Sequence, residues 1–238
     1  MVGPIVNSAG IIAGALCGVL GGRLLSPDFR TKINNVFGCI SLGIGISMVT
    51  KGQALPPVIL SLLFGAILGE LCRIESMVMR LALKVVGLLR FKRLATSNLS
   101  GQVFRDQFAV LTILFCVSGL GFIGSIEEGL TGDPSLLLVK AVLDFFTAFV
   151  FASNIGGAIG ILVLPQYAIQ TAVLLLATTV MPFITPTMFA DFSACGGFIM
   201  LGTGLRLLGL AQIPVLSMLP SLLLVMPLAF LWAKFFAA

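Results

Sequence analysis

Lys140 and Asp144 lie four residues apart inside a segment that is otherwise almost wholly apolar from Leu136 onward. In a helix that spacing puts both on one face. Charge inside an apolar span is expensive and normally takes a partner or a cavity, so two readings stand. In one, the pair neutralises itself and braces a helix bundle. In the other, Asp144 exchanges a proton or a cation while Lys140 tunes it; Lys140 is also near enough to the segment's outer boundary for its stem to reach the headgroups. Farther along, Ser153-Asn154 precedes Gly156-Gly157. That sequence favours either a packing bend or a local break that frees backbone ligands at depth. Asn154 offers both a carbonyl and an amide, which suits a cation or a carboxylate. Two further pairs, Asn7-Ser8 and Gln170-Thr171, each set a hydroxyl after a carboxamide. They are candidate substrate or ion ligands, with ligand-free interhelical hydrogen bonding as the competing reading.

Other chemistries are harder to build. The chain has no histidine, which removes His-based acid–base pairs and His-bound metals. Cys17, Cys39, Cys72, Cys116 and Cys195 stand singly in or beside apolar runs, without zinc or redox spacing. No nucleophile–base pair is visible. The expectation is therefore no enzyme, no cofactor and no metal. Glu70 beside Arg73 reads as an interfacial ion pair, and Asp191 as a carboxylate near a helix N-terminus.

The elements that position these residues are membrane spans. Hydrophobic residues make up 58% of the chain and charged residues 10%, against about a quarter charged in a soluble domain. The apolar runs reach the ~20 residues needed to cross hydrocarbon, and they are continuous, as helices require, rather than alternating. The expected fold is an all-α membrane protein of about eight spans, near 3–22, 33–50, 55–72, 106–124, 136–164, 166–182, 188–208 and 214–235. The first reads as a retained span rather than a signal peptide. Between spans three and four, residues 73–105 interleave Arg80, Lys84, Arg90, Lys92 and Arg93 with apolar residues. This is the pattern of a basic amphipathic helix on the cytoplasmic leaflet, too apolar and too close to the bilayer for nucleic acid. With Arg23, Arg30 and Lys32, it puts those two loops in the cytoplasm and both termini outside. The loop expected after span four is acidic, with Glu127, Glu128 and Asp133.

The chain also repeats itself. Residues 26–48 realign without a gap on 185–207: Ser26-Pro27 with Thr185-Pro186, and Leu42-Gly43-Ile44-Gly45 with Leu201-Gly202-Thr203-Gly204. Asn7-Ser8 has a looser echo in Gln170-Thr171, shifted by about one helical turn. Four segments follow: a three-span repeat over 1–72, the basic helix over 73–105, two central spans over 106–164 and a second repeat over 166–238. If the overlong fifth segment crosses once, span six lies five spans after span one and the copies are inverted, as in many secondary transporters. If it is a hairpin, they are parallel. Ser41, Gly43, Gly45, Gly202, Thr203 and Gly204 line a small-residue face that serves a pore, a packing contact or a homodimer.

Several of these motifs resemble a bacterial family of multi-pass membrane proteins that includes YqgA and YdfK. The resemblance rests on Met1-Val2-Gly3-Pro4 with Asn7, Gly43-Ile44-Gly45 leading to Leu55-Pro56-Pro57, and Leu68-Gly69-Glu70-Leu71. It continues through Gly124-Ser125-Ile126-Glu127, Lys140 with Asp144, Val150-Phe151-Ala152-Ser153, and Gly202-x-Gly204-Leu205. It implies a bacterial inner-membrane protein and assigns no binding residues. The chain departs from the family's pattern at Phe145-Phe146-Thr147 and across Gln166–Gln170.

The leading functional reading is a transporter of a small solute or ion with its site among spans one, five and six. A channel lined by spans two and seven, and a non-transporting sensor or assembly factor using the basic helix, are the alternatives.

Overall fold

The computed structural model describes residues 1–21, 27–78, 80, 108, 111, 112, 114–116 and 118–235, with the side chains of 27–31, 34 and 153–155 outside that description. The basic helix expected over 73–105 lies outside the described residues beyond Arg80. Regular structure among the described residues is helical throughout: α1 (Val2–Gly21), α2 (Pro27–Val49), α3 (Leu55–Leu71), α4 (Gly119–Thr131), α5 (Ser135–Ile155), a 3-10 segment (Gly156–Leu162), α6 (Val163–Val180), α7 (Pro186–Leu207), α8 (Val215–Met218) and α9 (Ser221–Phe235). Six stretches are long and apolar enough to cross a membrane: Val2–Gly21, Leu114–Thr131, Ser135–Ala152, Gly156–Phe183, Pro186–Leu207 and Val215–Phe235. Asn35–Val49 and Leu55–Leu71, expected as spans two and three, are apolar but shorter.

Local chemistry sets the boundaries. Ser118 Oγ accepts from Gly121 N at 3.1 Å to cap α4, and Thr185 Oγ1 accepts from Met188 N at 3.3 Å to cap α7. Prolines occupy the first turn of α3 and of α7, where a missing N–H removes no helical bond. Helix α4 ends at Gly132 in the left-handed region, φ 79°. Helix α5 ends at Gly156, with φ 76° and ψ −162°, a backbone region essentially reserved for glycine.

Two boundaries differ from expectation. The fourth segment is helical through Thr131, so Glu127 and Glu128 belong to α4 rather than to an acidic loop. The fifth is one uninterrupted helix to Ile155, followed by a 3-10 segment, rather than a single span to 164. Of bend and break, the break is what forms.

The chain divides into two compact units, residues 1–30 with 77–181, and residues 31–76 with 182–238. In the first, α1 lies along α5. Gly10, Gly14 and Gly18 face the backbone carbonyls of Ala141, Phe145 and Phe149 in turn. Both registers rise together, so these helices are parallel, and the missing Cβ atoms let the backbones touch. Helices α4 and α6 are also parallel: Gly121 faces Gln170, and Gly129 faces Leu174 while its carbonyl accepts from Thr178 Oγ1. Helix α6 runs against α1. Ser8 meets Gln166, whereas Ile11 and Ala15, farther along α1, share a buried cluster with Ala158, Ile159 and Leu162, farther back in the chain.

The second unit contains α2 from Thr31 onward, α3, α7, α8 and α9. Gly38 of α2 faces the Gly204 carbonyl of α7, and Gly45 faces that of Gly197. The register falls on one helix as it rises on the other, so α2 and α7 are antiparallel. Helix α3 is antiparallel to α8 and α9, since Gly65 abuts Ser221 while Gly69 abuts Ser217.

Candidate functional site

The buried polar residues of the first unit gather where α1, α4, α5 and α6 pack. Lys140 Nζ donates to Asp144 Oδ2 at 2.6 Å within α5, and the two residues are 2% and 4% exposed. The pair expected from the sequence is thus formed, and Lys140 does not reach outward. Buried, it depends on good geometry and on neighbours that satisfy the remaining donors and acceptors. The polar side chains beside the pair come from α1 and α6. Asn7, wholly buried, sits beside the Asp144 carboxylate. Gln170 lies beside Lys140, for a Cβ added to Gly121 would stand 3.0 Å from Lys140 Cε and 3.3 Å from Gln170 Nε2.

A chain of carboxamides leads into the cluster. Ser8 Oγ lies 2.7 Å from the Pro4 carbonyl and 3.1 Å from Gln166 Oε1. Gln166 Nε2 in turn donates to Gln170 Oε1. The chain stops there. Gln170 Nε2, Thr171 Oγ1 and both polar atoms of Asn7 have no hydrogen-bond partner although they are buried. A buried polar atom left unpaired costs about 1–3 kcal/mol, and those of Asn7 and Gln170 lie beside the charged pair.

The structure therefore brings together Asn7, Ser8, Lys140, Asp144 and Gln170, while Thr171, its Oγ1 unpaired, follows Gln170 on α6. Sequence reading missed Gln166, wholly buried in the middle of the chain. Its four-residue spacing from Gln170 was the available signal, since two glutamines on one face of an apolar helix seek each other. The side chains of Ser153 and Asn154 lie outside the described residues.

A second carboxylate was also misplaced. Glu128 is 5% exposed, accepts from Val2 N at 2.7 Å and from Gly3 N, and pairs with the Met1 amino group at 3.0 Å. The first N–H groups of a helix have no partner of their own, so a carboxylate on α4 supplies one for α1 and complements its dipole.

In the second unit Asp191 does not cap its own helix. Its Oδ1 accepts from Gln53 N and Ala54 N, both at 2.8 Å, and so clamps the turn between α2 and α3. Glu70 accepts from Ser217 Oγ at 3.3 Å, and Glu75 pairs with Arg206 at 2.8 Å. Of the small-residue face, Gly45 and Gly204 pack in the α2–α7 crossing, Gly202 faces Ile213, and Gly43 meets nothing within 4 Å. Ser41 is buried, and Thr203 Oγ1 donates to the Ile199 carbonyl of its own helix.

The pattern of the family described as "Protein of unknown function (DUF554)" matches residues 2–230. The chain belongs to the DUF554 family. Among relatives, it is 40% identical to "Uncharacterized protein YqgA" of Escherichia coli (strain K12) over 237 residues, the full length of both. It is 29% identical to "Uncharacterized membrane protein YdfK" of Bacillus subtilis (strain 168) over 230 residues, 94% of this chain and 93% of that one. No solved structure matches. Family membership and six span-length apolar helices make this DUF554 protein an integral membrane protein.

Proposed function

We propose that the protein is a secondary transporter of a small solute or ion in a bacterial inner membrane, working by alternating access of an inverted repeat. The observation that carries the reading is the orientation of the repeat's members. Helices α1 and α6 are antiparallel, as are α2 and α7, and as is α3 to α9. Three equivalent pairs running in opposite directions support inversion about an axis in the membrane plane. The single helix α5 supports it too, because it provides the odd number of crossings that inversion needs. The loosely equivalent residues Asn7 and Gln170 reach the same buried Lys140–Asp144 pair from opposite copies. Exchange of the two copies' conformations would then open that site to one side or the other.

The test is counterflow in proteoliposomes preloaded with each member of a panel of small metabolites and ions. A transporter gives saturable uptake that is accelerated by the same solute inside and abolished by Asp144→Asn. Non-saturating flux without exchange is the outcome of a channel and contradicts the reading, as does wild-type flux no faster than empty liposomes across the panel.

A further inference from the structure

We infer that the buried site of the first unit takes a small zwitterion, carrying one carboxylate and one ammonium as an α-amino acid does. This rests on the transport reading for its purpose, but its argument is the layout of charge and free valence. Lys140 and Asp144 form a net-neutral pair, 2.6 Å apart and one helical turn apart in sequence. Each pole has a carboxamide with an unpaired polar atom beside it. Gln170 Nε2, a free donor, lies at the Lys140 pole, where a carboxylate would bind. Asn7, whose Oδ1 and Nδ2 both lack a partner, lies at the Asp144 pole, where an ammonium would bind and the carboxamide oxygen could accept from it.

Other ligands fit less well. A lone cation drawn to Asp144 would sit against the Lys140 ammonium, and a lone anion drawn to Lys140 would sit against the Asp144 carboxylate. Either adds net charge to a site whose charged residues are 2% and 4% exposed. A neutral solute satisfies the amides but has nothing to offer the charges if it separates them. A zwitterion can part the pair, give each charge an opposite partner and leave the net charge at zero. It also fills both orphaned amides. The close approach of Lys140 and Gln170 to Gly121 leaves little room, which favours a ligand with a small side chain.

Full-length protein in detergent or nanodiscs, titrated singly with each of the twenty proteinogenic L-amino acids, tests this by thermal stabilisation and by calorimetric Kd. Acetate and methylamine serve as one-pole controls. Stabilisation is expected from glycine, L-alanine or L-serine and from neither control. Asn7→Ala removes two unpaired atoms, and Gln170→Ala removes a free donor together with the acceptor of Gln166 Nε2; with the unliganded melting curve showing each variant folded, each weakens binding roughly 10- to 100-fold, the loss of one hydrogen bond to a charged group. Equal stabilisation by acetate or methylamine, or none by any amino acid, overturns the assignment. The two readings fail separately. Amino acids that bind without counterflow sink transport and leave the zwitterion site standing. Flux of some other solute, sensitive to Asp144→Asn, with no amino-acid binding does the reverse.

Discussion

Lys140 and Asp144 are each other's only charged neighbours within hydrogen-bond distance among the described residues, so neither tolerates the loss of the other. Removing one partner of a buried pair typically costs about 3–5 kcal/mol, whereas replacing both by apolar residues is far cheaper. Lys140→Met and Asp144→Asn should each lower the unfolding temperature in detergent, and the K140M/D144L double variant should recover most of the loss. Equal or additive losses would mean that the pair is not coupled. A pair kept only for bracing would leave the double variant functional; the transport reading predicts stable but inactive protein. Glu128→Ala, which strips the first N–H groups of α1 of their acceptor, should cost about 1–2 kcal/mol in the same assay. An unchanged melting curve would mean that solvent or lipid headgroups serve those groups equally well. This carboxylate also marks a limit of sequence reading. Lys140 and Asp144 were legible because their partner is one turn away, while Glu128 bonds residues 125 positions distant, so its acid looked like loop chemistry.

Helix contacts in this chain depend on where glycine falls as well as on buried apolar side chains such as Ile11, Phe115 and Ile159. Along α1, Gly10, Gly14 and Gly18 are all committed to carbonyls of α5. Gly14→Val should force the two backbones apart, at a cost of about 1–3 kcal/mol or more for overpacking. Gly43→Ala, with nothing within 4 Å, is the neutral control. Thermal unfolding of both variants decides it, and equal behaviour would mean that α1 does not rest on α5 through this stripe. Most spans were visible as apolar runs. Which glycines face a partner was not visible. Gly43 and Gly45 look alike in sequence, yet one is exposed and the other sits in a crossing. The fifth segment was ambiguous because apolar content continues from α5 through the 3-10 segment into α6, and the backbone of Gly156 alone ends the helix.

At the scale of the whole molecule, the account stands on the duplication being inverted. Every helix pair whose direction the structure defines fits alternate crossing by successive spans: α1 with α5, α4 with α6, and each repeat pair in opposition. The sequence suggests a repeat through an offset of 159 residues and leaves its sense open, because identity of sequence carries no direction across a membrane. That offset carries Lys51, just after α2, onto Leu210, just after α7, and both are exposed. The most direct test replaces the five native cysteines, introduces Lys51→Cys or Leu210→Cys, and labels intact cells with a membrane-impermeant maleimide before and after permeabilisation. The account predicts that position 51 labels in intact cells and position 210 only after permeabilisation. Labelling of both from the same side would make the repeat parallel and contradict alternating access by inversion.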